Sequence, residues 1–256
     1  MSMSILDLFS LQGKNALVTG SSQGLGAGMA IAFAQAGANV TLHGYDAVLQ
    51  STVEEVKRTG VQSISIMGDV CDPEVCARLI DETVNAFGSI DILVNNAGTI
   101  RRAPAAEHSP EFWSAVIETN LNSVFRLSQY AGRKMLAQGS GKIINIASML
   151  TFQGGILVPS YAAAKGAVGQ LTKALANEWA DKGVNVNAIA PGYMATDNTA
   201  PLRADAERSK TILARIPAGR WGLPADIAGA AVFLASAASN YVHGHILVVD
   251  GGWLCR

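Results

Sequence analysis

Tyr161 and Lys165 stand four residues apart, and Ser148 closes an apolar run (Lys142-Ile-Ile-Asn-Ile-Ala-Ser148) shortly before them. On a helix, residues four apart share a face, so the Lys165 ammonium would lie beside the Tyr161 phenol and its ring. A fixed positive charge favours phenolate over phenol. A free tyrosine titrates near pH ~10, and such a charge can draw it towards working pH, where it gives or takes a proton. Ser148 would add a second hydroxyl. Two hydroxyls converging on one oxygen suit a carbonyl that becomes an alkoxide when hydride arrives, because their hydrogen bonds sit where negative charge develops. Taken alone, Tyr-x-x-x-Lys is more often a surface pair on an amphipathic helix, so the rest of the chain must decide.

The elements that could position these residues begin with Asn15-Ala-Leu-Val-Thr19, a short apolar run ending at Gly20-Ser-Ser-Gln-Gly24-Leu-Gly26. Met29 to Ala36 then reads as a helix closed by Gly37. Strand, glycine turn and helix make a dinucleotide site. The glycines permit positive φ and close approach of a pyrophosphate, while the helix N-terminus offers unpaired N–H groups and partial positive charge. The spacing is Gly-x-x-x-Gly-x-Gly, not the commoner Gly-x-Gly-x-x-Gly.

The alternation repeats along the chain. Strands are predicted at Asn39 to His43, Ser63 to Met67, Ile90 to Val94, Lys142 to Ser148, Val184 to Ala190 and Ile246 to Asp250. Helices fall between them, at Ala47 to Thr59, from Asp72-Pro73 to Phe87, from Ser109-Pro110 to about Gln138, at about Ser160 to Ala180 and at Asp226 to Ala235. Strands that are apolar throughout belong to a parallel sheet covered on both faces, and right-handed crossovers make it doubly wound. The expected fold is therefore α/β, a single Rossmann-type domain over residues 1–256. Its seven-stranded sheet has a cofactor half at about 1–100 and a catalytic and substrate part at about 101–256. Asn95-Asn96-Ala97-Gly98 would end the fourth strand at the edge where such sheets bind ligands. Residues 191–224 lose the pattern around a short amphipathic piece, Leu202 to Ile216, as a substrate lid would. Asn120, an amide in mid-helix, is read equally as a solvated position or as a helix irregularity holding a water near Lys165.

Composition narrows the function classes. Hydrophobic residues make up 49% of 256 and charged residues only 15%, so much of the chain is buried in layers or in subunit contacts. A formal net charge of -1 with no basic run gives no footprint for nucleic acid. Met1 to Gly13 carry no positive region ahead of an apolar stretch, and no apolar run is long enough to span a bilayer. A cytoplasmic protein is expected. Cys71, Cys76 and Cys255 match no zinc spacing, and His243-x-His245 lacks a third ligand nearby, so no metal is expected.

Four separated signatures now stand in order: Thr19-Gly20-x-x-x-Gly24-x-Gly26, Asn95-Asn96-Ala97-Gly98, Ser148 with Tyr161-x-x-x-Lys165, and Pro191-Gly192-x-x-x-Thr196. Along nearly all its length the chain resembles the short-chain dehydrogenase/reductase family. The resemblance implies a catalytic set of Asn120, Ser148, Tyr161 and Lys165, with Asn120 and Lys165 holding a water relay. It implies cofactor contacts from Gly20, Ser22, Gln23, Gly24, Leu25, Gly26, His43, Gly44, Tyr45, Asp69, Val70, Asn95, Ala97, Gly98, Tyr161, Lys165, Pro191, Gly192, Met194 and Thr196. It also implies a homotetramer. Within the family, the stretches Leu93 to Arg102, Lys142 to Gly155, Asn187 to Asp197 and Arg215 to Pro224 resemble 2-keto-3-deoxy-gluconate dehydrogenases of bacterial pectin breakdown. They equally resemble reductases of the alginate-derived 4-deoxy-5-hexoseulose uronate. Either substrate is a six-carbon deoxy keto sugar acid with one carboxylate. Arg101, Arg102, Arg215 and Arg220 border the expected pocket, and arginine grips carboxylate in a two-pronged contact. Arg102 is the best single candidate, with Ser148 and Tyr161 at the reacting oxygen, Gln153 as a hydroxyl partner and Trp221 as a lid wall.

Cofactor choice rests on the end of the second strand, where an acid would bind the ribose of NAD and a base the extra phosphate of NADP. Gly44 occupies the usual acid position and would leave room for phosphate, and His43 would be its hydrogen-bond partner. No arginine or lysine follows, however, Gln23 stands in the glycine loop, and Asp46 would repel phosphate. NAD(H) is favoured, with NADP(H) as second choice. The alternatives in view are gluconate 5-dehydrogenase, 3-oxoacyl-carrier-protein reductase and a non-catalytic dinucleotide-binding regulator.

Overall fold

The computed structural model describes residues 4–48 and 50–256. Its strands are β1 (Asn15–Val18), β2 (Asn39–Gly44), β3 (Ser63–Met67), β4 (Ile92–Asn95), β5 (Gly141–Ile146), β6 (Val184–Pro191) and β7 (Ile246–Val249). They form one parallel sheet in the order β3-β2-β1-β4-β5-β6-β7. The chain winds outward from β1 to β3, returns to β4 beside β1, and winds outward again to β7. The crevice at the carboxyl ends of β1 and β4 is therefore the switch point where doubly wound sheets bind ligands.

Alternate residues of each strand feed opposite cores. Ala16, Val18, Ile92 and Val94 pack in a cluster with Met29, Phe33, Ile227 and Leu234. Leu17, Leu93 and Ile143 pack on the other face with Leu79, Leu127, Met135 and Trp179. The helices supplying the first cluster are α1 (Gly24–Gln35) and α9 (Pro224–Ala235); the second comes from α3 (Pro73–Phe87), α5 (Ser123–Gln138) and α6 (Pro159–Trp179). Burial of every residue in β1, β4 and β6 explains why these strands are mostly apolar on both faces, and the side chains of Asn15, Asn95, Asn185 and Asn187 are each hydrogen-bonded within the fold.

Several boundaries differ from the sequence expectation. The second helix, expected from Ala47, is α2 (Gln50–Arg58), and Leu49 lies outside the described residues. The long helix from Ser109 is α4 (Pro110–Ile117) and then α5, joined by one π turn at Glu118–Asn122. Strand β5 stops at Ile146, so Ser148 belongs to the loop beyond it. The lid piece is two helices, α7 (Ala200–Ala204) and α8 (Ala206–Arg215).

Helix α6 is pressed against the loop that carries Ser148. A Cβ at Gly169 would meet the Thr151 Cγ2 at 2.5 Å and the Ile246 Cδ1 at 3.1 Å. Thr151 is itself pinned, because its hydroxyl donates to the Lys165 carbonyl at 2.9 Å. Gly169→Ala is expected to cost about 1–3 kcal/mol of stability by overpacking, outweighing the ~1 kcal/mol that alanine gains as a helix former. Urea unfolding of the variant beside the parent chain measures this.

Candidate active site

Pro159 takes the first position of α6 and needs no N–H partner there, which places Tyr161 in the first turn and Lys165 one turn on. The Lys165 ammonium lies 5.6 Å from the centre of the Tyr161 ring. It is 4% exposed and donates to the Ile146 carbonyl at 2.5 Å. Ser148 caps a short 3-10 turn, Met149–Thr151, through an Oγ that accepts from the Leu150 N–H at 3.1 Å. Its hydroxyl also hydrogen-bonds the half-buried Tyr161 phenol. Strand β5 thus supplies the carbonyl that holds Lys165, and the turn after it supplies the hydroxyl that meets Tyr161.

The electrostatics of this group differ from the expectation in one respect. Burial raises the Tyr161 phenol above its ordinary value, and the Ser148 hydrogen bond and the Arg102 charge offset this only in part. Tyr161 is therefore held protonated. Among the described residues no carboxylate pairs with Lys165, and burial pulls its ammonium down to about 8.

Asn120 is fully buried in the π turn, where an extra residue takes one carbonyl out of the regular helical ladder. Of the two readings of this amide, the irregular one holds. Its Oδ1 accepts from the Thr99 N–H at 2.8 Å and its Nδ2 donates to the Thr99 carbonyl at 2.8 Å. Thr99, which sequence reasoning did not single out, fixes the loop after β4 through this pair.

On the cofactor side, Gly20 and Gly24 have φ of +61°, and a Cβ on Gly26 would lie 2.2 Å from the Gly20 carbonyl oxygen. The Gln23 side chain does not cap α1, which leaves the first-turn N–H groups of Gly24, Leu25 and Gly26 facing outward for an anion. The Ser22 carbonyl accepts from the Thr52 hydroxyl at 2.9 Å. Thr196 reaches the loop from the far wall, with its Cγ2 3.6 Å from where a Gly24 Cβ would stand. The same wall brings Pro191 and Gly192 to the switch point. A Cβ on Gly192 would lie 2.5 Å from the Asp250 Cα, and Met194 is turned into the core beneath Gly222.

Three candidate contacts need correction. His43 cannot serve a phosphate, because its Nδ1 accepts from the Gly20 N–H at 3.0 Å and its Nε2 faces the Gly68 carbonyl at 3.0 Å. At Gly44 a Cβ would lie 1.8 Å from the Ala47 carbonyl oxygen, so the space that a side chain would take there is filled by the following loop, not open. The Asn95 amide is turned inward to Ser128 and Asn145, leaving only its main chain at the groove. The residue that holds the loop is its unassigned neighbour. Asn96 donates from Nδ2 to the Thr19 and Gly20 carbonyls at 2.9 and 3.0 Å. The Asn-Asn pair was the visible signal; which amide faces which side was not. Ala97 N–H donates to the Thr19 hydroxyl at 3.1 Å, and a Cβ on Gly98 would come within 3.4 Å of Asn120 Oδ1. Tyr45 is exposed, Val70 is buried, and an Asp69 carboxylate oxygen accepts from the Cys71 N–H at 2.9 Å.

Around the pocket the four arginines separate. Arg220 pairs two-pronged with Asp226 at 2.7 and 2.8 Å, and Arg101 folds back on Thr99 and Ile100. Arg215 stacks 4.0 Å from the Trp253 ring centre. Arg102 acts on Tyr161 through its charge and spends one donor on the Asn198 carbonyl at 3.2 Å, at the start of the lid. Gln153 Oε1 lies 3.4 Å from both Arg215 Nη2 and Trp253 Nε1. Trp221 packs edge-on against Tyr193 at 5.6 Å, and Tyr193 in turn against Trp253 at 4.7 Å.

Residues 20–254 match the family profile described as enoyl-(acyl carrier protein) reductase. Among curated relatives, the 2-dehydro-3-deoxy-D-gluconate 5-dehydrogenase of Dickeya dadantii (strain 3937) is 56% identical over 98% of this chain and 100% of its own. A crystal structure from Agrobacterium tumefaciens with bound NADP is 54% identical, with a TM-score of 0.92 over 98% of this chain and 100% of that one. A gluconate 5-dehydrogenase from Burkholderia cenocepacia J2315, in complex with NADP and tartrate, is 40% identical with a TM-score of 0.94, covering 99% and 100%. The uncapped α1, the glycine approach and the Thr196 wall fit a nicotinamide dinucleotide.

The buried Lys165 should make itself felt in stability. Unfolded, this lysine keeps its proton up to its ordinary value of 10.5, whereas folded it loses it at about 8. Between those values the unfolded state binds more protons, so its contribution to stability rises with pH. Lys165→Met is expected to be more stable than the parent by about 1–3 kcal/mol at pH 7, with the gap narrowing by pH 9.5. Urea unfolding at the two pH values checks both the sign and the trend.

Proposed function

The chain belongs to the short-chain dehydrogenase/reductase family, and on that premise we propose that it interconverts a ketone and a secondary alcohol on a six-carbon deoxy keto sugar acid. The substrate is 2-keto-3-deoxy-gluconate, attacked at its C5 position, or the alginate-derived 4-deoxy-5-hexoseulose uronate. The observation that carries the reading is the Ser148–Tyr161–Lys165 group with Arg102 acting on the same phenol. A bound nicotinamide dinucleotide supplies or takes the hydride. Tyr161, held protonated by burial, gives its proton to the substrate oxygen as that oxygen gains charge, and Ser148 donates a hydrogen bond to the same atom. Lys165, anchored on Ile146, keeps a positive charge behind the phenol. Arg102 retains donors beyond the one it gives Asn198 and grips the substrate carboxylate, Gln153 meets a hydroxyl, and Trp221 closes the wall.

For the cofactor, the absence of arginine or lysine from 20–26 and 43–48, with Asp46 present, supports NAD(H) first. The NADP found in the Agrobacterium and Burkholderia structures keeps NADP(H) as the second choice. The reading extends to a cytoplasmic homotetramer acting in uronate breakdown, from pectin or alginate. The exposed rings of Phe112, Trp113 and Phe125 on α4 and α5 support assembly.

Reduction of NAD+ and of NADP+ with 2-keto-3-deoxy-gluconate, which carries the alcohol at C5, and oxidation of NADH and of NADPH with the alginate-derived keto acid test this reading. One acid and one cofactor are expected to lead in kcat/KM by tenfold or more, about 1.4 kcal/mol of transition-state binding. No turnover of either acid would sink the sugar-acid assignment and leave gluconate 5-dehydrogenase or 3-oxoacyl-carrier-protein reductase to be tried. Tyr161→Phe is expected to lower kcat by orders of magnitude with NADH affinity nearly unchanged, and loss of NADH binding would make Tyr161 structural.

A further inference from the structure

His43 is 2% exposed and sits where β2 passes the glycine loop. Hydrogen bonds run both ways between them: the His43 N–H donates to the Ser21 hydroxyl at 2.8 Å, and the Ser21 N–H donates to the His43 carbonyl at 2.8 Å. The ring continues the pattern. Gly20 N–H is a fixed donor, so Nδ1, 3.0 Å away, must offer a bare lone pair. The proton is then on Nε2, which donates to the Gly68 carbonyl at 3.0 Å. The imidazole is therefore a neutral bridge from the glycine loop to the turn after β3, and only this tautomer satisfies both ends.

Adding a proton to Nδ1 sets one N–H against another across 3.0 Å. The ring is enclosed, so an imidazolium cannot turn towards a ligand phosphate without first letting go of Gly20. Two charges face it: Asp69, in the turn after β3, favours the proton, and Arg78, on α3, opposes it. Burial outweighs Asp69 and leaves the ring below its ordinary value of 6.5. The fold thus selects the neutral form. The stability this contributes is present above 6.5 and is lost as pH falls through the lower folded value. The other three histidines lie elsewhere: His108 contacts Ser160, His243 contacts Asn185, and His245 begins the approach to β7.

We infer that His43 is a proton-sensitive latch on the dinucleotide loop, holding Gly20 and Ser21 in the conformation that receives a pyrophosphate only while its imidazole is neutral. This rests on the dinucleotide reading above. His43 is a positioning residue: it touches the loop, and the loop touches the ligand.

ADP-ribose is the probe, because it lacks nicotinamide and its pyrophosphate keeps a constant charge from pH 5 to 8. Its affinity is measured by calorimetry at pH 5.0, 6.0, 7.0 and 8.0 for the full chain and for His43→Asn, wherever the ligand-free protein still gives a full melting transition. The parent should weaken by about threefold or more as pH falls from 7 to its lowest folded point. His43→Asn should bind more weakly at pH 7 and show no slope there. A loss that was merely structural would weaken the variant equally at every pH and leave the parent's slope in place. A flat parent profile, or the same slope in both proteins, overturns the latch while the dinucleotide reading stands. Failure of the parent to bind ADP-ribose at any pH overturns both.

Discussion

A lysine ammonium enclosed in the protein, with one carbonyl for company, is the constraint around which the site is built. Lys165 on α6 reaches the Ile146 carbonyl at the end of β5, so the helix bearing Tyr161 is locked to the strand that leads to Ser148. Thr151 repeats the tie one turn away by donating to the Lys165 carbonyl. A buried cation without a carboxylate is costly, and burial draws it to about 8. The charge stands 5.6 Å from the centre of the Tyr161 ring.

The same economy governs the other half of the site. The glycine loop is held by protein atoms before any ligand arrives. Asn96 takes the carbonyls of Thr19 and Gly20, the Thr19 hydroxyl takes the N–H groups of Asn96 and Ala97, and His43 takes the N–H of Gly20. What is left unspent is the first turn of α1, where a pyrophosphate gains most from aligned N–H groups. Preorganisation of this kind lowers the ordering cost of binding.

The aromatic cluster beside the site is assembled from distant parts of the chain. Tyr193 after β6, Trp221 beyond the lid and Trp253 near the C-terminal end pack edge to edge. Arg215 of α8 lies over Trp253. Met149, Ile212, Ile216 and Trp253 form a separate small core beneath them. The segment carrying α7 and α8 is therefore attached largely through apolar contact, with polar ties from Arg102 to the Asn198 carbonyl and from Arg215 to Gln153.

Local patterns in the sequence were enough to determine the parallel seven-stranded sheet and the switch point, and to single out the candidate catalytic positions. Apolar runs, glycine spacing and a four-residue helical interval are properties of adjacent residues and survive without tertiary contacts. The π turn at Asn120 was half legible, as an amide where a helix should be apolar. What the tertiary structure decided was direction. Asn95 and Asn96 are chemically alike, but one faces α5 and the other the glycine loop, because successive residues leaving a strand point to opposite sides. His43 became a clamp, not a phosphate ligand, since both its nitrogens meet main-chain groups brought up by β1 and β3. Tyr161 stays protonated because burial at the site outweighs the Ser148 hydrogen bond and the Arg102 charge. Arg220 was lost to Asp226, only six residues on, where the first turn of α9 brings the carboxylate back to it. A residue's type states what it can bind; which partner it meets depends on contacts between segments far apart in the chain.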